Sequence, residues 1–98
     1  MTVIRHISVR GRVQGVGFRA FVEHEALKHH VGGWVRNRRD STVEALFSGE
    51  PAAVAAAVEA CRRGPMGSRV EVLYDEEGSD ADLKLVRAGD VFSVLPDA

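Results

Sequence analysis

The sequence offers almost nothing for cross-linking, membrane insertion or redox chemistry. Its 98 residues include one cysteine, Cys61. A lone cysteine excludes an intrachain disulfide and a cysteine-based metal cluster, and it fits a reducing cytoplasm. The longest uncharged apolar run, Ala52 to Val58, is far short of the about 20 residues that cross a bilayer. Arg5 and Arg10 punctuate the first segment, so no apolar core of an export signal is expected. The net charge is only −1, which argues against bulk adsorption to nucleic acid or to a membrane surface. No linker, internal repeat or low-complexity stretch interrupts the chain.

What is present suits one folded domain spanning residues 1–98. A chain of this size buries about 60–70% of its unfolded surface, enough for one two-layer core, and 45% apolar residues are available to fill it. The charge is unevenly spread. Residues 1–39 hold eight Lys/Arg against two Asp/Glu, and residues 40–98 hold five against twelve. The basic half suits an anionic ligand.

Residues 3–10 alternate, with Val3, Ile7 and Val9 on one face, and read as a strand. Phe18 to His29 or His30 reads as a helix with the stripe Phe18, Phe21, Val22, Ala26, broken by Gly32-Gly33. Residues 34–39 and 42–47 form a hairpin around Asp40-Ser41, with Val43, Ala45 and Phe47 on one face. Pro51 opens a second helix whose stripe is Val54, Ala57, Val58 and Cys61, and Gly64-Pro65 ends it. Residues 68–75 form a fourth strand, with Val70, Val72 and Tyr74 expected on the core face. The acidic stretch 76–90 reads as a loop with a candidate short strand at 83–86, and 91–95 as a short last strand. The order β-α-β-β-α-β predicts an α+β, ferredoxin-like two-layer sandwich: a four-stranded antiparallel sheet with two helices on one face.

Two stretches could carry chemistry. In Gly11-Arg12-Val13-Gln14-Gly15-Val16-Gly17-Phe18-Arg19, three glycines separate a strand from a helix. Such a loop bends sharply and leaves N–H groups at a helix start for an anion. It is neither a dinucleotide fingerprint nor a P-loop, because the third glycine and the Gly-Lys-Ser/Thr are missing. Arg19, in the first helical turn, works against the macrodipole unless an anion joins it. The plain alternatives are a tight connection with no ligand and a solvated Arg19 paired with Glu23. In Gly33-Trp34-Val35-Arg36-Asn37, an asparagine stands where strand propensity disfavours it; its carboxamide could position a water, or it could satisfy the turn that follows. Trp34 and Cys61 read as core. His6, His24, His29 and His30 have no metal-ligand spacing, and no nucleophile–base arrangement can be argued.

Together these motifs resemble the acylphosphatase family. Gly11 to Arg19 is followed by Gly33-Trp-Val-Arg-Asn37, then by Val43 and Gly49, with Cys-Arg-Arg-Gly-Pro at 61–65. The similarity covers essentially the whole chain. It implies the ferredoxin-like fold, no metal, no organic cofactor, and hydrolysis of acyl phosphates to a carboxylate and inorganic phosphate. By resemblance Arg19 matches a phosphate-binding arginine and Asn37 a water-positioning asparagine. Two departures stand out: the family usually has glycine where this chain has Ser41, and often where it has His30.

The implied mechanism needs no strong acid or covalent nucleophile, since an acyl phosphate already has a good leaving group. The N–H groups of Gln14, Gly15, Val16, Gly17 and Phe18 would cradle the phosphoryl oxygens, Arg19 would grip them through its fork, and Asn37 would aim the water. The expected partner is a small acyl phosphate, with inorganic phosphate as product and neither nucleic acid nor membrane involved. The expected state is a cytoplasmic monomer. Two competing readings are an RNA-binding sheet face, which needs exposed aromatics on the central strands, and a carbamoyl-phosphate-handling module of the kind found within larger maturation enzymes.

Overall fold

Alternation of apolar residues builds the sheet, and two apolar helical stripes cover it. The computed structural model covers residues 1–98. The elements run β1 (Val3–Arg12), α1 (Phe18–Lys28), β2 (Gly32–Asn37), β3 (Val43–Gly49), α2 (Pro51–Arg63), β4 (Arg69–Glu77), α3 (Asp80–Leu83) and β5 (Phe92–Val94). The sheet order is β4-β1-β3-β2-β5. The first four strands pair antiparallel, as expected. A fifth, β5, adds to β2 in parallel, with Gly33 opposite Phe92 and Val35 opposite Val94. The fold is the ferredoxin-like α+β sandwich. No helix is long and apolar enough to cross a membrane.

The main core lies between the sheet and α1 and α2. Ile7, Val9, Val35, Val43, Ala45 and Phe47 come from the strands. Phe18, Val22 and Ala26 come from α1, and Val54, Ala57, Val58 and Cys61 from α2. Both helical stripes therefore land where their spacing places them, apart from the half-buried Phe21 at the edge. Burial pushes the Cys61 thiol up to about 12, so at neutral pH it packs as an apolar group and not as a nucleophile.

The helix-breaking role expected of Gly32-Gly33 belongs to His30. His30 takes the left-handed conformation, φ 59. Its N–H donates to Leu27 O and that of Val31 to Ala26 O, the double bond of a Schellman stop. Gly32 and Gly33 are the first residues of β2.

On β4 the expected phase is wrong over part of its length. A bulge between Arg10 and Gly11 sets Val72 opposite Arg10 but Val70 opposite Gly11, which leaves Glu71 as the extra residue. Beyond the bulge the side chains change face. Val70 and Leu73 pack against the core, while Val72 is 41% and Tyr74 55% exposed on the other face of the sheet.

That other face has a cover of its own. Trp34, Leu46 and Leu95 are buried there, with Ile4, Leu83 and Val86 packed against them. Trp34 is therefore core, but not the core under the helices. Nor is 83–86 a strand. Residues 80–83 form the short α3, started by a reciprocal Ser79–Asp82 capping box. The Trp34 indole N–H donates to Asp82 O at 2.8 Å. Segment 79–86 thus lids the indole, a tertiary role that local propensity cannot reveal.

Candidate active site

The glycine loop ends β1 and opens α1. Gly15 and Gly17 both adopt left-handed φ, 75 and 76, with open space where a Cβ would stand. Their conformation requires glycine, whereas the room around them does not. The backbone N–H groups of Gly15, Val16 and Gly17 donate to no group of the protein. Gly17 is the N-cap of α1 and has no side chain to cap it, so the first-turn amides also lack an intrahelical acceptor. The result is a concentrated set of donors at the positive end of a helix.

Arg19 and Asn37 meet at this loop. A pocket of about 430 Å³ is lined by Val13, Gly15, Gly17, Phe18, Arg19 and Asn37, among others. Asn37 shares the face of Val35 by strand alternation, so it points toward the layer that holds α1. Its backbone is pinned by the β3 register opposite Val43 and by Ala98 N–H donating to its carbonyl at 3.0 Å. The turn that follows Asn37 is satisfied by other residues. The Asp40 carboxylate accepts from Thr42 N–H at 3.1 Å and from the Thr42 hydroxyl at 2.6 Å. These bonds also hold the Asp40 carboxyl below its ordinary range. Ser41 completes the turn at φ 73, so the backbone keeps the conformation a glycine would favour.

Two features of the site escaped the sequence. The Gln14 side chain, expected only to contribute its amide, donates through Nε2 to Arg38 O and Thr42 O, both at 2.9 Å, and ties the loop to the hairpin. Arg19 does not pair with Glu23; its Nη1 donates to Asp97 Oδ1 at 3.2 Å. With Arg19 and Asp97 78 positions apart in the chain, no spacing rule could find that pair. A wider groove of about 800 Å³ opens at the far end of the sheet, between α2 and the β1–β4 edge. It contains no residue of either motif.

An α+β sandwich with free amides, an arginine and an asparagine around one small pocket offers the donors that a compact anion needs. The comparisons with known proteins make this specific. The family model for acylphosphatase matches residues 5–84. An acylphosphatase of Rhodopseudomonas palustris (strain BisB18) is 55% identical over 95 residues, which covers 97% of this chain and 96% of that one. The crystal structure of acylphosphatase from Bacillus subtilis superimposes with a TM-score of 0.82 at 39% identity, covering 97% of this chain and 99% of that one. Full-length HypF, solved in a phosphate- and nucleotide-bound form, also superimposes at 0.82 with 26% identity; the match covers 99% of this chain but 12% of HypF. The chain belongs to the acylphosphatase family.

Proposed function

We propose that this protein hydrolyses acyl phosphates to a carboxylate and inorganic phosphate. The observation that carries the reading is that Arg19, Asn37 and the glycine loop, distant in sequence, line one pocket. In this mechanism the amides of Gln14, Gly15, Val16, Gly17 and Phe18 receive the phosphoryl oxygens. Arg19 binds two of them through its guanidinium edge, a planar fork that lysine cannot copy. Asn37 holds the attacking water in line with the phosphorus–oxygen bond to be broken. An asparagine is a poor base, so the water's proton passes to a phosphoryl oxygen of the substrate as the carboxylate departs. The work is positioning and charge neutralisation, the main demands of phosphoryl transfer.

Both motifs lie in one chain, so a single copy is the working unit we propose. The compartment is the cytoplasm, in keeping with a sole cysteine that is free and buried. The RNA-platform reading loses support on the sheet face itself. Trp34 is sealed under the 79–95 segment, and Tyr74 is the one aromatic residue of that face left exposed. The test is spectrophotometric hydrolysis of benzoyl phosphate in EDTA. Turnover there supports the class and metal-independent chemistry together. Absence of turnover with an intact fold would overturn the reading.

A further inference from the structure

The arginine of the anion pocket is already bonded to a carboxylate of the protein. Asp97 Oδ1 accepts from Arg19 Nη1 at 3.2 Å, and Glu23, one turn along α1, lines the same pocket. Asp97 is held there by backbone on both sides. Leu95 N–H donates to Val35 O at 2.9 Å, Ala98 N–H to Asn37 O at 3.0 Å, and Arg39 N–H to Ala98 O at 2.8 Å. Residues 95–98 thus continue the parallel β5–β2 pairing past Asn37 and deliver the carboxylate to the guanidinium. The rest of the pocket wall is uncharged, with Val13, Phe18, Ala20 and Val94 beside the glycines. The pocket's one cation is thus bonded to the Asp97 carboxylate, with a second carboxylate, Glu23, in the wall and only uncharged groups, Asn37 among them, around it.

We propose that Asp97 is a specificity-determining residue, which biases this site toward acyl phosphates whose acyl part carries no negative charge. The proposal rests on the acyl-phosphate reading above and names the substrate class within it. A phosphoryl group seated on the loop amides and Arg19 brings its acyl part toward the carboxylate bonded to that arginine, Asp97, whose side chain is 65% exposed. A carboxylate or second phosphate on that part comes within a Debye length, about 8–10 Å, of Asp97 and Glu23, and like charges repel. A neutral acyl group meets Val13 and Val94 without that repulsion. Discrimination of this kind comes from a built-in repulsive element and not from an added contact. Asp97 also competes with any incoming phosphoryl oxygen for Arg19 Nη1, which weakens the binding of inorganic phosphate.

The test compares kcat/KM for benzoyl phosphate and 4-carboxybenzoyl phosphate in the wild type, Asp97→Asn and Asp97→Lys. At low ionic strength the wild type should prefer the neutral ester by about three- to tenfold, the range for one or two partly solvated charge pairs. Asp97→Asn should shrink the preference about threefold, and Asp97→Lys should abolish or reverse it. About 0.5 M salt should compress the wild-type preference toward that of Asp97→Asn. Inorganic phosphate, titrated by calorimetry, should bind more tightly in the order wild type, Asp97→Asn, Asp97→Lys. An equal preference in all three proteins, or phosphate affinity that ignores residue 97, would overturn the proposal. If the wild type hydrolyses neither ester, the acyl-phosphate reading fails and its substrate class with it. The phosphate titration then judges the Asp97–Arg19 competition separately.

Discussion

Gln14 Nε2 lies 2.9 Å from the carbonyl oxygen of Thr42, so a side chain of the glycine loop holds the far arm of the hairpin that follows Asn37. The same amide donates to Arg38 O, immediately after Asn37. Loop and asparagine are therefore registered by one carboxamide. Gln14→Ala removes both bonds and leaves Thr42 O its bond from Arg38 N–H. The expected loss of stability is about 1–2 kcal/mol for two modest hydrogen bonds. The expected fall in kcat is about tenfold or more, because small displacements of positioning groups are costly. Urea unfolding and steady-state kinetics read the two effects. No change in kcat would mean that the tie does not position Asn37.

Ser41 and His30 are the chain's two non-glycine residues with positive φ, at 73 and 59. They stand where the family resemblance leads one to expect glycine. The left-handed conformation costs an L-residue about 1–2 kcal/mol, whereas glycine's extra freedom in the unfolded chain gives back about 0.4–1 kcal/mol. Ser41→Gly should therefore stabilise the fold by about 0.5–1 kcal/mol. His30→Gly should do so by less, since histidine tolerates this region better than most residues. Chemical denaturation of each variant measures it, and a destabilised Ser41→Gly would contradict the strain argument.

Glu44 gathers charge on the sheet face away from α1 and α2. Arg36 Nε donates to its Oε1 at 2.7 Å and Arg38 Nη1 at 3.2 Å, while His6 Nε2 lies 2.6 Å from Oε2. Burial would raise the Glu44 carboxyl, but bonds from His6 and Arg36 outweigh it and bring it to about 2. The Glu44 bond, against some desolvation, raises His6 above its ordinary 6.5, with Glu76 and Asp82 adding to the pull. A depressed carboxyl stabilises the fold above its unfolded value of about 4.5 and loses that contribution as pH falls toward about 2. A raised imidazole contributes fully below 6.5 and loses its contribution as pH rises through the folded value. Both operate between about 4.5 and 6.5. Urea midpoints against pH should show Glu44→Gln flattening the acid limb, with about 2–3 kcal/mol lost on the plateau. His6→Ala should flatten the decline above 6.5. Wild-type stability that stays level between pH 5 and 2 would contradict the assignment.

The sequence carried the parts of this structure that depend on local pattern. The stripes Phe18/Val22/Ala26 and Val54/Ala57/Val58/Cys61 became the two helix faces of the core. The two motifs that share the pocket were visible as glycine spacing and as an asparagine in a strand. What escaped depends on contacts across the fold. A single extra residue, Glu71, opposite the Arg10–Gly11 step turned Tyr74 from expected core to surface. Residues 76–90 read as a loop with a candidate strand at 83–86, yet α3 forms at 80–83, set by the Ser79–Asp82 box and by Trp34 reaching Asp82 O. Gly32-Gly33 looked like a helix stop because His30 is an unusual left-handed residue. The side-chain role of Gln14 and the Asp97–Arg19 pair each join segments far apart in the chain, where no periodicity points.

The central claim is that Arg19 and Asn37 act together on one phosphoryl group. The most direct measurement is kcat for benzoyl phosphate hydrolysis by Asn37→Ala beside Arg19→Ala, with circular dichroism showing the fold retained. Loss of one preorganised group typically costs about 10²–10³ in rate, and at least that loss is expected for each variant. Near-normal turnover by either one would remove that residue from the mechanism and contradict the account.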